Sequence, residues 1–264
     1  MGAGALGSML GLGGAIIVVP VLTLLLGVDI RLAIAAAAVA VVATSCAGAA
    51  EHVRRGIANV RLAAYLELGA AAGAVTGAFL SGFVPRRGLY ILFGAVLVLA
   101  AAGMLRSTVH RSTAREPAEP NLPDGELDGE CPDESGVLVA YRVHRPRLGL
   151  ALISLAGLVG GLLGTGAGIL KVPALDFAMR VPWKASTATS TLMIGVTAAA
   201  SAGVFIARGN LAPIVVAPVA LGVALGAVIG SRLLVRLPQS ATRLLFLGVV
   251  LWLSFQMIRK GVAS

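Results

Sequence analysis

A ten-residue stretch, GLGGAIIVVP (11–20), returns as GTGAGILKVP (164–173), and both copies lie inside long apolar segments. Consecutive glycines in such a place constrain the chain strongly. A helix broken inside lipid leaves backbone N–H and C=O groups unpaired, so the break survives only where protein, water or a ligand supplies partners. The offset of 153 residues from Gly11 to Gly164 also pairs Gly13 with Gly166, Val28 with Val181, and Arg55–Gly56 with Arg208–Gly209. Without a gap it goes on to pair Gly69, Gly73 and Gly77 with Gly222, Gly226 and Gly230, then Pro85 with Pro238 and Phe93 with Phe246. Single identities mean little in Ala/Leu/Gly-rich sequence. An uninterrupted register through glycines, a proline and an Arg-Gly pair points to a duplicated unit, each copy opened by a glycine-broken helix.

The chain is 58% hydrophobic and 12% charged over 264 residues, about half the charged fraction of a soluble domain. Apolar blocks of about 18 residues or more recur along it, the signature of membrane-spanning helices. Because these blocks are continuous rather than alternating, a β-barrel is disfavoured. The expected fold is therefore an all-α polytopic membrane protein with two homologous halves, residues 1–105 and 148–264, joined by a linker, 106–147. Each half carries about four hydrophobic segments: 3–27, 32–53, 62–83 and 89–105, then 148–178, 184–207, 211–235 and 244–258. The first of each set is broken or re-entrant. If all eight span, the halves share one orientation; if the broken ones are re-entrant, the halves are inverted. The turn holding Arg54, Arg55 and Arg61 is far more basic than its copy, which has Arg208 alone. This asymmetry favours opposite orientations, since one side of the membrane is enriched in Lys and Arg.

The linker holds eight of the twelve acids and six of the 21 Lys and Arg residues, and its Pro-, Glu- and Asp-rich composition reads as a flexible tether. That leaves fifteen basic against four acidic residues in the membrane part, within a net charge of +9. Loop arginines that orient helices explain part of this excess, and an anionic substrate is the sharper explanation. No basic cluster marks a nucleic-acid surface. The start of the chain carries no charged region of a signal peptide. Met1 lies about nine residues before its glycine break, against about sixteen for the apolar run of the second copy, so the first half-helix is expected to be short as written.

The half-helix that follows each break points free N–H groups and the positive end of its dipole into the gap, which favours an anion. Gly11, Gly13 and Gly14, and Gly164, Thr165, Gly166 and Gly168, are the candidate substrate-binding backbone. Tight helix packing is the plainer alternative. Lys171 stands where the first copy has Val18. A lysine in an apolar segment is a functional candidate, with snorkelling to the interface as the alternative. Lys171→Ala is expected to weaken anion transport while leaving the chain folded. Hydroxyls that can donate to an anion come from Thr44 and Ser45 and from the run Ser186, Thr187, Thr189, Ser190 and Thr191, of which Ser190 is the chief candidate, with hydrogen bonds between helices as the alternative for all of them. Glu67, the one acid well inside an apolar segment, can carry a coupling proton, or pair with an arginine, or lie near a helix end. Arg55 and Arg208 are gate candidates, set against helix-ending positions each followed by a glycine. The ladder Gly69, Gly73, Gly77 allows close helix approach.

Taken together, these motifs resemble the TauE/SafE family of membrane proteins. The resemblance covers both membrane halves and omits the linker. The family's glycine-rich pattern has a third glycine where this chain has Ala15, and a glycine in the middle position where it has Ala167. The resemblance implies export, or in some members uptake, of sulfite, sulfoacetate or related organosulfur anions by a secondary mechanism. No GxxxxGK[ST] phosphate loop is present.

The expected function is thus a secondary transporter, an exporter, of a small sulfur-containing oxyanion in the cell membrane. The partners are the anion, the lipid bilayer and a coupling proton or sodium ion, with a homodimer left open and no cofactor or metal. The alternatives are a passive anion channel and a non-transporting membrane assembly factor. An enzyme is disfavoured, because His52, His110 and His144 fall at turns or in the linker and no nucleophile is paired with a base.

Overall fold

A computed structural model describes residues 14–109, 125–132, 138–234 and 239–263. The first described element, α1 (Ala15–Pro20), runs straight into a π-helical turn, Val21–Leu25, and the same pair recurs as α6 (Gly168–Pro173) with Ala174–Ala178. The cause is the proline. Pro20 and Pro173 cannot donate to the carbonyl four residues back and crowd it, so the next turn widens. A glycine break followed six residues later by proline thus encodes a one-and-a-half-turn helix with a widened end.

The long helices are α2 (Ile30–Arg54), α3 (Val60–Ser81), α4 (Arg86–Val109), α5 (Pro146–Leu163), α7 (Trp183–Ala207), α8 (Pro213–Leu234) and α9 (Gln239–Ala263). Five stretches among the described residues are long and apolar enough to cross a membrane: α2, α3, α5, α7 and the Arg86–Gly103 part of α4. The protein is a polytopic helical membrane protein. Pro213 opens α8, where its missing N–H costs nothing. Helix ends follow the expected chemistry as well: Gly56 and Gly209 stand at φ +66° and +68°, the left-handed conformation that closes a helix.

The packing interlaces the early and late parts of the chain. α2 lies against α7 and α8, α4 against α9, and α3 against α5 and α7. The α3–α5 seam is made by glycine. A Cβ on Gly73 would meet the carbonyl oxygen of Ser154 at 2.1 Å, and one on Gly77 that of Leu158 at 2.0 Å, while Gly157 and Gly161 of α5 leave equally little room against Ala70 and Ala74. Gly69 meets Leu150 and Ser154, whereas Gly77 meets Leu158 and Leu162, so the two helices run parallel. α2 and α7 run antiparallel, with Gly48 against Thr191 and Gly195 against Ser45.

The broken segment is a hairpin. α5 ends at Leu163, residues 164–167 turn, and α6 runs back. Its two ends meet where His144 N donates to Met179 O at 3.1 Å and Gly149 abuts the Met179 side chain. The turn lies deep against the start of α2, where a Cβ on Gly164 would come within 2.3 Å of Ile34 O. Gly164 and Gly166 take φ +64° and +67°, and Ala167, in the position where the resemblance leads one to expect glycine, takes φ +62°.

The stretch expected to be a flexible tether is folded in part. Strands β1 (Gly129–Pro132) and β2 (Leu138–Tyr141) pair antiparallel with Glu130 opposite Ala140. Cys131 and Tyr141 are buried with Leu62, Leu66, Met179, Val181 and Met193. Composition misled here because alternate residues of a short ribbon suffice to cover an apolar helix end.

Two outcomes follow from this packing. Gly77→Leu would drive a side chain into the Leu158 backbone, and its cost of about 1–3 kcal/mol or more should appear as loss of the monodisperse peak in detergent, whereas Leu68→Ala, at an exposed site, should not. Ala167→Gly should raise stability by about 1 kcal/mol, since left-handed backbone is strained for alanine, and thermal unfolding in detergent checks it.

Candidate functional site

Three helices converge on a buried ion pair. Lys171, fully buried on α6, points its Nζ at Glu67 Oε2 of α3 at 3.5 Å and donates a hydrogen bond to Thr197 Oγ1 of α7. Thr197 Oγ1 lies 2.6 Å from Glu67 Oε1 and 2.9 Å from Met193 O, so the hydroxyl accepts from the lysine and donates onward. Glu67 Oε2 is buried and makes no hydrogen bond of its own. Lys171 does not snorkel, and Glu67 pairs with a lysine rather than an arginine. Each buried charge is compensated by the other, which is the condition for either to persist away from water.

The pair changes what Lys171→Ala can report. Sequence reasoning expects that variant to remain folded; here it strands Glu67, a partly buried carboxylate whose Oε2 is out of contact with water, without its cation.

Beside the pair lies the glycine turn. Gly166 packs on Ile194 of α7 and Val41 of α2, and a Cβ there would approach Ile194 O to 3.0 Å. Thr165 and Gly168 are buried in the same turn. Thr165 N donates back to Gly160 O at 3.0 Å, and Lys171 N and Leu170 N both donate to Ala167 O at 3.0 Å. The N–H groups of the first α6 residues precede any intrahelical acceptor. In the first copy Gly14 is buried at the start of α1, and its carbonyl accepts from Ile17 N and Val18 N at 3.2 and 3.1 Å. Gly11 and Gly13 lie outside the described residues.

Most of the candidate hydroxyls already have partners. Thr44 donates to Val41 O at 3.0 Å, and Ser45 to Thr191 O. Ser186 donates to Val181 O at 3.0 Å, Thr187 to Trp183 O at 2.9 Å and Thr191 to Thr187 O at 2.8 Å, while Thr189 accepts from Asn59 N at 3.0 Å. Ser190 differs: its hydroxyl is fully buried and makes no hydrogen bond. It shares a helical face with Ile194 and Thr197 and lies about 10 Å along α7 from Thr197. One face of α7 therefore carries the orphan hydroxyl, the contact with the glycine turn, and the bridge to the ion pair.

The gate candidates lie at helix ends. Arg55 is exposed at the end of α2, just before Gly56. Arg208 caps α7 and stacks over Phe79 of α3 at 4.2 Å.

Two participants escaped sequence reasoning. Thr197 extends the buried hydroxyl stripe Ser186, Ser190, Thr197, Ser201 at helical spacing, a signal that reading only the dense run 186–191 overlooks. Asn59 caps α3 by accepting from Leu62 N at 3.0 Å and donates to Leu127 O and Tyr141 Oη at 2.9 and 3.2 Å, tying the ribbon to the mouth of the bundle. Burial raises the Tyr141 hydroxyl above its ordinary pKa, with the Asn59 hydrogen bond opposing the shift, so it stays a neutral donor and acceptor. Among the described residues no group of three or more His, Cys, Asp or Glu side chains is placed to hold a metal ion.

Helices broken at a glycine turn, beside a compensated charge pair deep in an apolar bundle, are the architecture of a membrane transporter. Residues 1–257 match the family described as sulfite exporter TauE/SafE, and the chain belongs to that family. Among similar proteins, the probable membrane transporter protein YunE of Bacillus subtilis (strain 168) is 25% identical over 73% of this chain and 70% of its own. A probable membrane transporter protein of Xylella fastidiosa (strain 9a5c) is 30% identical over 71% of this chain and 64% of its own. The probable membrane transporter protein YdhB of Bacillus subtilis (strain 168) is 26% identical over 87% of this chain and 85% of its own. No solved structure matches the chain. The family and these relatives are named as transporters, not enzymes.

Removing one partner of the buried pair should be severe and removing both milder. Lys171→Met and Glu67→Leu alone should each cost about 3–5 kcal/mol, and the double replacement substantially less than their sum. Thermal unfolding of the four proteins in detergent checks this, and additive losses would mean the pair is not coupled.

Proposed function

We propose that the protein is a secondary transporter, working as an exporter in the cell membrane, of a small sulfur-containing oxyanion such as sulfite or a sulfonate. The anion binds beside the glycine turn, between α2, α6 and α7, and moves by alternating access as two inverted halves rock against each other. The observation that carries this reading is the unpartnered, buried Ser190 hydroxyl on the face of α7 that also meets the glycine turn and reaches Lys171 through Thr197. An anion accepts hydrogen bonds from Ser190 and from backbone N–H groups and is drawn by the buried Lys171 ammonium of α6, which is held at Thr197 of the same α7 face.

The inverted-halves part of the reading is supported by element boundaries. α2 and α7, and α3 and α8, begin and end 153 residues apart, and the equivalent helices α2 and α7 run antiparallel. Equivalent helices pointing in opposite directions are what an inverted repeat produces.

The test is uptake of radiolabelled sulfite and sulfoacetate into proteoliposomes, with Gly166→Leu as the inactive control. Saturable uptake is expected, falling to background in the control, because leucine at φ +67° would also collide with Ile194. Flux that never accumulates against a gradient would indicate a passive channel, and no flux of either anion from folded protein would favour an assembly factor.

A further inference from the structure

We infer that the transported anion and the Glu67 carboxylate compete for Lys171, so that each monoanion is carried with one proton and transport is electroneutral. This rests on the transporter reading above and says how the same site is coupled.

The argument starts from charge. Lys171 is completely buried, and among the described residues Glu67 is the charged side chain paired with it, at 3.5 Å. The resting pair is neutral. The other titratable groups on the elements around it are Arg61 and Tyr65 on α3, Asp176 on the π-helical turn after α6, the exposed Arg147 in the first turn of α5, Lys184 in the first turn of α7 with Arg208 at its end, Arg31, Cys46, Glu51, His52 and Arg54 on α2, and Cys131 and Tyr141 of the ribbon. Arg86, Arg87 and Tyr90 belong to the far end of α4, where Arg86 pairs with Asp29 at 3.0 Å.

A monoanion drawn to Lys171 with Glu67 still ionised would leave the site with an uncompensated buried negative charge, which is costly. The site returns to neutrality when Glu67 takes a proton from water: the resting state is Lys171 ammonium with Glu67 carboxylate, and the loaded state is Lys171 ammonium with the anion and Glu67 carboxylic acid. No bond to the anion is made or broken. Thr197 is the positioning residue. It accepts from Lys171 and donates to Glu67 Oε1 in both states, since Oε1 remains an acceptor when the proton sits on the other oxygen, so the bridge holds the carboxyl in place as Glu67 is protonated. Glu67 Oε2, which has no hydrogen-bond partner, is the oxygen free to receive the proton. The carboxylate also answers a problem of empty return: with no substrate, Glu67 takes the anion's place on Lys171 and keeps the unloaded site neutral.

The experiment uses the full chain in proteoliposomes with sulfite, and with a sulfonate monoanion, as probes. A gradient of one pH unit should sustain about a tenfold accumulation ratio of the monoanion on the alkaline side, and an imposed membrane potential without a pH gradient should sustain none. In E67Q, which fixes the neutral form, gradient-driven accumulation should disappear and anion counterflow should lose its pH dependence. T197V should shift the pH profile of counterflow, which a merely structural threonine would not do. Accumulation driven by potential, or an E67Q protein that accumulates as the parent does, would overturn the inference. Counterflow in the parent that ignores a pH gradient would also overturn it while leaving the transporter reading in place. Absence of any flux in the parent would bring down the transporter reading, and this inference with it. The potential and stoichiometry measurements need no variant, so they decide the matter even if E67Q fails to fold.

Discussion

The contact between Lys171 and Glu67 sets the terms for the centre of this bundle. A lone ammonium or carboxylate at that depth would be costly, so α3 and α6 must be held in one relation, with Thr197 of α7 closing the third side. The α3–α5 seam does that holding. Its glycines bring backbone against backbone, which leaves α5 little freedom to slide and places the turn at its end, and therefore α6, opposite Glu67. Close packing and charge compensation are in this sense one constraint seen from two ends.

The glycine turn serves both packing and chemistry. Gly164 and Gly166 have positive φ and no space for a side chain, so the tight-packing explanation of these residues is correct as far as it goes. The same tightness presses an irregular piece of backbone against Ile34 and Ile194, deep among helices, where polar groups are scarce. Proline then ends α6 after a turn and a half. What results is a short strut that carries Lys171 and runs on into the π-helical turn.

Much of this could be read from the residues alone. The long apolar runs, the break after Leu163, the helix-closing glycines at 56 and 209 and the close approach along Gly69, Gly73 and Gly77 all follow from local rules that need no partner. What stayed hidden depends on pairs distant in sequence. Glu67 and Lys171 were each conspicuous as a charge in an apolar segment, but nothing local tells a residue that its counter-ion lies 104 positions away. The sequence leaves the hydroxyls of Thr44 and Ser45 open between anion donors and structural hydrogen bonds; both find backbone acceptors, Thr44 in its own helix and Ser45 in α7. The ribbon was masked by its acidic, proline-containing surroundings, although Cys131 and Tyr141 were there to be buried.

The interlaced packing has a consequence for how the protein comes into being. Synthesis delivers α2, α3 and α4 to the membrane first, yet α2 packs against α7 and α8, α4 against α9, and α3 against α5. For as long as it takes to make the rest of the chain, these helices stand in lipid without the neighbours that match their small-residue faces. They must be apolar enough to wait there, which is consistent with Ala- and Leu-rich sequence even on surfaces that end up buried. A chain cut after α4 would carry faces shaped for partners it does not encode, and a second copy of itself is the nearest substitute.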